Sequence, residues 1–183
     1  MCFPGAAIPR GFLARPFATA RLDVLPLRVA HAARMAVVLG DPALHTFIGG
    51  APDTPGELRA RYERLVAGSP DPAVSWCNRV LWPRDTERPA GTVQATVTGG
   101  GEHAEIARVV GTAWQGRGLA SEAATAPVAR LREGGVRTIV AHIHPGHRAS
   151  AAVARSAGLS ATSRRQDGEV RWQLTGTASD HVT

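Results

Sequence analysis

The feature that most constrains this chain is the stretch from residue 109 to residue 123, VVGTAWQGRGLASEA. Two β-branched residues predict the end of a strand, a loop with three glycines follows, and a helix-forming run continues from Leu119. A helix N-terminus carries unpaired N–H groups and about half a positive charge, so glycines there let the main chain close around an anion. Gly116 and Gly118 can approach a ligand more closely than residues with a Cβ atom. This order of strand, loop and helix indicates an anion-binding turn.

The loop matches neither of the common nucleotide-binding motifs. No Lys-Ser/Thr pair follows it, as a Walker loop requires, and residues 116–121, GRGLAS, lack the third glycine of a dinucleotide fingerprint. Spacing alone therefore leaves the identity of the bound anion open.

Apolar periodicity and turn residues divide the chain into seven strands and four helices. Three consecutive antiparallel strands precede one strand-loop-helix-strand crossover, whereas a doubly wound sheet would alternate strands and helices throughout. We therefore expect a mixed α/β fold with a mostly antiparallel sheet of six to seven strands and flanking helices. The predicted strands are residues 21–27, 74–81, 91–97, 105–110, 136–143, 159–165 and 169–174, and the predicted helices are 31–39, 54–68, 119–131 and 149–157. Thr54 and Glu57 predict a capping box at the start of the second helix, and residues 166–168, QDG, predict the turn between the last two strands.

Length and composition favour one domain in a reducing compartment. We expect a domain over residues 21–175, with a disordered N-terminal extension at 1–20 and a disordered tail at 176–183. Prolines interrupt the apolar segments of the extension, which argues against a secretory signal, and no apolar run is long enough for a membrane helix. Two cysteines are too few for a disulfide framework or a four-ligand zinc site, so a cytoplasmic location is expected.

The net charge of +6 invites a nucleic-acid interpretation, but its origin is compositional. The chain contains no lysine, all 21 basic residues are arginine, and only Arg164 and Arg165 are adjacent. A phosphate-tracking surface requires clustered positive charge. A biased coding composition is therefore favoured, and nucleic acid is not an expected partner.

Two segments carry a resemblance to a known family. Residues 115–120, QGRGLA, resemble the Gln/Arg-x-x-Gly-x-Gly/Ala pyrophosphate loop of the GNAT superfamily of N-acetyltransferases, with Gln115, Gly118 and Ala120 at its defining positions. Residues 147–159, HRASAAVARSAGL, resemble a second signature, Asn-x-x-Ser-x-x-Val-x-x-x-x-Gly-Phe, of the ribosomal-protein N-terminal (serine/alanine) acetyltransferase branch. The resemblance covers roughly residues 21–174.

The resemblance implies an acyltransferase that moves the acetyl group of acetyl-CoA to a primary amine, either a protein N-terminus or a small molecule. It implies the acyl-CoA N-acyltransferase fold, in which two neighbouring strands part to leave a V-shaped cleft for acetyl-CoA. Main-chain groups of the strand would pair with the pantetheine arm, and the loop would hold the pyrophosphate. A homodimer stays open. The implied cofactor-binding residues are Val109, Val110, Gly111, Gln115, Gly116, Arg117, Gly118, Leu119, Ala120 and His147, the last in place of the usual Asn.

The same resemblance indicates three candidate catalytic residues. Glu105 opens the strand that would face the acceptor, and Glu169 lies 19 residues after Ser150, the spacing of a base and an acid in ribosomal-protein serine acetyltransferases. The alternative for either glutamate is a solvated carboxylate at a strand end. Ser150 is a candidate to protonate the leaving thiolate, because Ala154 replaces a catalytic tyrosine of many relatives; helix N-capping is the alternative role for this serine. Arg108 puts a charge where an aromatic ring often lies.

The sequence also allows other interpretations. His142, His144 and His147 form an H-x-H-x-x-H cluster, but no fourth ligand accompanies it, so no metal is expected. Tyr62 suits either core packing or contact with an acceptor. A non-catalytic acyl-CoA sensor and, less favoured, a basic RNA- or ribosome-binding module are the alternatives to an enzyme.

Overall fold

The computed structural model describes residues 15–175, which contain eight strands and five helices. The strands are β1 (Phe17–Ala18), β2 (Leu22–Pro26), β3 (Ser75–Pro83), β4 (Gly91–Thr98), β5 (His103–Val110), β6 (Thr138–Ile143), β7 (Ser160–Gln166) and β8 (Glu169–Thr175). The helices are α1 (Ala32–Leu39), α2 (Pro42–Ile48), α3 (Pro55–Ala67), α4 (Leu119–Glu133) and α5 (Arg148–Ser156). None of these helices has the length and apolar composition that crossing a membrane requires.

All eight strands belong to one sheet, in the order β1-β2-β3-β4-β5-β6-β8-β7. Every neighbouring pair is antiparallel except β5 and β6. The mixed α/β fold with a mostly antiparallel sheet is therefore confirmed. The strand that exceeds the predicted number is β1, which pairs with Asp23 and Val24 of β2. It lies inside the predicted N-terminal extension, of which residues 1–14, like the predicted tail at 176–183, lie outside the described residues.

Helices cover both faces of the sheet, and the alternation of β3 shows how. Val80 belongs to a core cluster with residues of α1 and α3, whereas Leu81 belongs to a cluster with residues of α4 and α5. Successive side chains of a strand point to opposite faces, so one strand contributes to both cores. We call the side of α1 and α3 the first face, and the side of α4 and α5 the second face.

Local signals position the helices of the first face. Thr54 and Glu57 form the predicted capping box at the start of α3: the Glu57 N–H donates to Thr54 Oγ1 at 3.3 Å, and the Thr54 N–H donates to Glu57 Oε2 at 2.8 Å. Helix α2 was not predicted, although Asp41 caps it by accepting a hydrogen bond of 2.9 Å from the Ala43 N–H, with proline at its first position.

The sheet separates between β5 and β6. These parallel strands pair only at His103 with Thr138, Ala104 with Ile139, and Glu105 with Val140. Beyond that point β5 continues paired with β4, and β6 continues paired with β8. The parting of two strands that the resemblance implied is therefore present, and we call this opening, between residues 106–110 and residues 141–143, the fork.

Candidate active site

The fork holds a cavity of about 570 Å³. Its lining includes Tyr62 of α3 and His142 of β6 on the first face, and Ser150 of α5 on the second face. The cavity therefore passes between the two halves of the sheet and connects the two faces.

Main-chain groups of β5 face the fork at alternate residues. The Gly111 N–H donates to the Ala90 carbonyl at 2.8 Å, which fixes the phase of the antiparallel ladder between β4 and β5. Because hydrogen-bonded pairs alternate in such a ladder, the main chain of Val109 points toward β4, and that of Ile106, Arg108 and Val110 points toward the fork. An extended ligand can add to this free strand edge.

Val109 and Gly111, which the resemblance implied as pantetheine-binding residues, do not offer free main-chain groups to the fork as Val110 does. Val109 lines the cavity with its side chain while its main chain faces β4. Both main-chain groups of Gly111 are engaged, because its carbonyl accepts from the Trp114 N–H at 2.8 Å. A Cβ atom at Gly111 would lie 2.7 Å from Val38 Cγ1, so this glycine allows α1 to approach the sheet closely.

The glycine loop continues from the end of β5. The Gln115 side chain donates from Nε2 to the Val110 carbonyl at 2.9 Å, which ties the loop to the strand edge. Gly116 and Gly118 have φ values of 74° and 76°, a region that glycine occupies without strain. A Cβ at Gly116 would meet no atom within 4 Å, so space is open beside the loop. These residues fit a diphosphate at the N-terminus of α4, where Leu119 anchors the first turn in the core.

Arg21 holds the loop from the far side. Its Nη1 donates to the Arg117 carbonyl at 2.7 Å, and its Nε lies 2.8 Å from Glu122 Oε2 in the first turn of α4. In a trans peptide the carbonyl and the following N–H point in opposite directions, so the Gly118 N–H points away from Arg21. Neither Arg21 nor Glu122 was predicted, because their positions in the sequence are 101 residues apart.

Hydrogen bonds also set the charge of Glu122. Burial opposes ionisation, but donors from Thr19 and Arg21 outweigh it and lower the pKa of the carboxyl group. The Arg117 guanidinium lies 5.3 Å from the centre of the Trp114 ring. The loop is thus fixed by charge pairs on one side and open on the other.

Glu105 occupies the last paired position before the fork, and His142 lies just beyond it on β6. Glu105 Oε1 is 3.3 Å from His142 Nδ1. The His142 side chain is 12% exposed and lines the cavity, whereas Glu105 is 59% exposed and does not belong to the lining. The structure therefore brings the predicted carboxylate to the site through a histidine that sequence reasoning had considered only as a metal ligand.

Glu169 and Ser150 both line the cavity. Glu169 begins β8, one residue before the last residue pair of β6 and β8, which is Ile143 with Val170. Strand alternation places Glu169 on the same face as His142. Ser150 lies in the first turn of α5, and its carbonyl accepts a hydrogen bond of 3.4 Å from Arg108 Nη2. Ala154, one turn later, is buried in the core of the second face.

His147 closes one end of the cavity. Its ring stacks on Phe47 of α2 at a centroid distance of 4.1 Å. Burial, Arg108 and His144 lower the pKa of His147, so this ring is neutral at neutral pH. His147 lies apart from the glycine loop, which is not part of the cavity lining.

Tyr62 packs in the core and also borders the cavity. Its ring belongs to the core of the first face, and its side chain also lines the cavity. Among the described residues its buried hydroxyl has no hydrogen-bond partner. In the same part of the chain, no three His, Cys, Asp or Glu side chains are grouped so that they could hold a metal ion.

Known structures share this fold. A GNAT-family acetyltransferase from Bacillus anthracis is similar with a TM-score of 0.73 and 16% identity, covering 88% of this chain and 98% of its own. A ribosomal L7/L12 α-N-protein acetyltransferase in complex with coenzyme A gives a TM-score of 0.73, 16% identity and the same two coverages. An aminoglycoside acetyltransferase in complex with coenzyme A gives 0.68 and 17%, covering 84% and 94%. A comparison with curated protein sequences found no significant match.

The family itself is identified from the sequence. Residues 21–160 match the family described as the acetyltransferase (GNAT) domain, which is well over half of the chain. The protein therefore belongs to the GNAT acetyltransferases, and its glycine loop and its fork agree with this assignment. It is an acyltransferase, and acetyl-CoA is its acyl donor.

Proposed function

We propose that the protein transfers the acetyl group of acetyl-CoA to a primary amine inside the fork. The observation that carries this proposal is the end of pairing at Glu105, which opens a cavity across an otherwise continuous sheet. An extended acyl arm can lie along one strand edge only if the neighbouring strand has moved away. The amine would then enter from the first face, where Tyr62 and His142 line the cavity.

The cofactor assignments rest on the loop and on the free strand edge. In this proposal the main-chain groups of Arg108 and Val110 hold the pantetheine arm, and N–H groups of residues 118–120 hold the diphosphate. Two of the similar structures contain coenzyme A, which supports the assignment. When bound, acetyl-CoA supplies the thioester carbon that the amine attacks.

His142 is the proposed general base, with Glu105 as its positioning residue. If His142 Nδ1–H donates to Glu105, its Nε2 keeps a lone pair for the cavity. General-base catalysis by a side chain suits an α-amine, whose pKa of about 8 leaves roughly a tenth of it neutral at pH 7, better than a lysine with a pKa of about 10.4.

Ser150 and Glu169 complete the proposed site. Ser150 lines the cavity at the start of α5, and in this proposal its hydroxyl gives a proton to the departing thiolate. Glu169 lies on the same face as His142, and its carboxylate attracts the acceptor in its ammonium form, before the nitrogen loses its proton. Neither role requires a metal ion.

The acceptor is proposed only as a primary amine. The similar structures include an α-N-protein acetyltransferase and an aminoglycoside acetyltransferase, and the acceptors that these names give are amines of this class. At the cavity rim Phe47 and Ile48 are 38% and 52% exposed, so an acceptor would also meet apolar surface. Either a peptide N-terminus or a small amine is compatible with such a rim.

Thiol release from acetyl-CoA tests the proposal directly. The protein is incubated with acetyl-CoA and a panel of peptides, ribosomal extract, aminoglycosides and small amines, and free thiol is measured beside a thermal-shift titration with coenzyme A. We expect a thermal shift and amine-dependent release. A shift without release from any amine would indicate an acyl-CoA sensor, and the absence of both would overturn the proposal.

The proposed setting is the cytoplasm. Cys77 is a free thiol, and burial raises its pKa, so it is protonated and inert at neutral pH. A chain with two cysteines suits a reducing compartment. Cell fractionation tests this location, and light scattering tests whether the protein is a monomer or a homodimer.

A further inference from the structure

Arg108 is a charged residue in the wall of the fork. It lies on β5 and shares the second face with Ile106, and its side chain lines the cavity together with Ser150 and His147. This is the position at which an aromatic ring was expected from the family resemblance. Its guanidinium reaches the first turn of α5, beside the proposed proton donor Ser150.

The guanidinium of Arg108 is nearly free of protein partners. A guanidinium is a planar group with five N–H donors. Only one of them is used within residues 15–175, in the long bond of 3.4 Å to the Ser150 carbonyl, and none of the ion pairs there includes Arg108. Burial lowers its pKa to about 10, so the group still carries its charge at neutral pH.

Arg108 is half-buried, and a charge that is partly removed from water without a counter-ion is costly, so proteins normally pair it. The carboxylates near the cavity are engaged or placed elsewhere: Glu105 accepts from His142, Asp53 pairs with Arg61 at 3.3 Å, and Glu169 lies on the opposite face of the sheet from Arg108. The region around Arg108 thus offers positive charge, and a carboxylate can accept two parallel hydrogen bonds from the guanidinium.

We propose that Arg108 binds a carboxylate carried by one of the two reactants. This inference rests on the proposed acyl transfer and adds a specificity to it. The carboxylate is either a second functional group of the amine, as in an amino acid, or the far end of a dicarboxylic acyl chain on a coenzyme A thioester used in addition to acetyl-CoA. In both cases the amine nitrogen bonds to the thioester carbon, the C–S bond breaks with its electron pair on sulfur, and the proton lost by the amine balances the proton gained by the thiolate.

Calorimetry separates the acyl chain from the amine as the source. In the first arm, wild-type protein is titrated with coenzyme A, succinyl-CoA and butyryl-CoA, the last two having acyl chains of equal length. If the acyl chain carries the carboxylate, succinyl-CoA binds more tightly by about ten- to a hundred-fold, the range of a charge-assisted hydrogen bond. Arg108→Gln should weaken the binding of succinyl-CoA more than that of butyryl-CoA by this factor, so that the ratio of the two affinities falls to about one.

The second arm measures acetyl transfer to amino acids and to their carboxamides. If the amine carries the carboxylate, the ratio of kcat/KM for acid over amide falls by about ten- to a hundred-fold in Arg108→Gln. Comparing ratios between the two proteins cancels the different basicities of acid and amide. Arg155→Gln is the matched control, because Arg155 is an arginine of α5 whose guanidinium lies over the Trp172 ring and outside the cavity.

Each result decides the inference. A carboxylate preference in either arm that depends on Arg108 supports it and identifies the source. Coenzyme A that binds while wild-type protein shows no preference in either arm overturns the role of Arg108 alone, and this comparison needs no variant to fold. Coenzyme A that does not bind at all overturns the proposed function first.

Discussion

His142 Nδ1 lies 3.3 Å from Glu105 Oε1, across the point where β5 and β6 stop pairing. The two residues come from neighbouring strands, and only the histidine reaches the cavity. A carboxylate that accepts from one ring nitrogen fixes the tautomer and the orientation of the other. This contact is the basis for proposing the ring as the proton acceptor and the carboxylate as its positioning residue.

Replacing His142 tests this division of roles. His142→Gln should lower kcat by about 10²- to 10⁴-fold, the usual contribution of a general base. Glu105→Gln keeps a hydrogen-bond acceptor and should lower kcat by a smaller factor, with little change in KM. His103→Gln, an exposed histidine on the same strand, should leave both constants unchanged. Full turnover in His142→Gln together with an inactive Glu105→Gln would return the base to Glu105.

Gly118 should be required for the cofactor as well as for the fold. At its φ of 76° an alanine is strained by about 1–2 kcal/mol, and the new Cβ would lie 3.3 Å from Arg21 Nη2. We expect Gly118→Ala to lower the free energy of unfolding by that amount and to weaken coenzyme A binding at least about ten-fold, the equivalent of one charge-assisted hydrogen bond.

Gly135→Ala is the matched control for Gly118. Gly135 follows α4 with a φ of 96°, and a Cβ there meets no atom within 4 Å. It should show a similar loss of stability by urea unfolding and unchanged coenzyme A affinity by calorimetry. Equal coenzyme A affinities in the two variants would show that Gly118 does not contribute to cofactor binding.

Glu122 should make stability depend on pH. Because hydrogen bonds lower the pKa of its carboxyl group in the folded state, the unfolded chain takes up the proton first as the pH falls. The stabilisation is present above the ordinary pKa of about 4.5 and disappears as the pH drops through the lower folded-state value.

Glu122→Gln gives the measurement. It should lower the free energy of unfolding by about 1–3 kcal/mol at pH 7, and the difference from wild type should vanish in acid. Glu133→Gln removes a carboxylate of the same helix that is 61% exposed and paired with Arg130, and it should change stability by less than about 0.5 kcal/mol. A difference that persists in acid would mean that the charge of Glu122 is not the cause.

Local patterns predicted the elements that surround the site. Thr54 and Glu57 indicated the start of α3 because a capping box lies within four residues, and the glycine loop was visible because Gly116 and Gly118 lie between a strand and a helix. The Asp167-Gly168 turn between β7 and β8, at φ values of 50° and 83°, is a similar local signal.

The contacts that complete the site join distant parts of the chain. Glu105 meets His142 over 37 residues, and Arg21 meets Glu122 over 101, so no spacing rule connects them. The role of Arg108 depended on the face that it uses, which follows from the register of β4 with β5. Strand alternation related these residues to faces, but only the parting of β5 from β6 shows which side chains reach the cavity.

Replacing Tyr62 with phenylalanine should stabilise the folded protein. Its side chain is 3% exposed, and its hydroxyl has no hydrogen-bond partner among the described residues, so wild-type protein bears the cost of removing a polar group from water. Tyr62→Phe keeps the ring and should raise the free energy of unfolding by about 1 kcal/mol in urea. Tyr62→Leu removes the ring from the same core and should lower it by a few kcal/mol.

The same variant tests whether the hydroxyl contacts the acceptor. Burial raises the pKa of Tyr62 to about 12, so the phenol is neutral at neutral pH, and because its oxygen is buried it would donate to an acceptor only after the side chain shifts. If it does so, Tyr62→Phe raises KM for the amine several-fold while coenzyme A affinity stays constant. Since this is the one tyrosine of the chain, its absorbance reports ionisation without overlap from another phenol. A less stable Tyr62→Phe protein with unchanged KM would show that the hydroxyl has a structural partner instead.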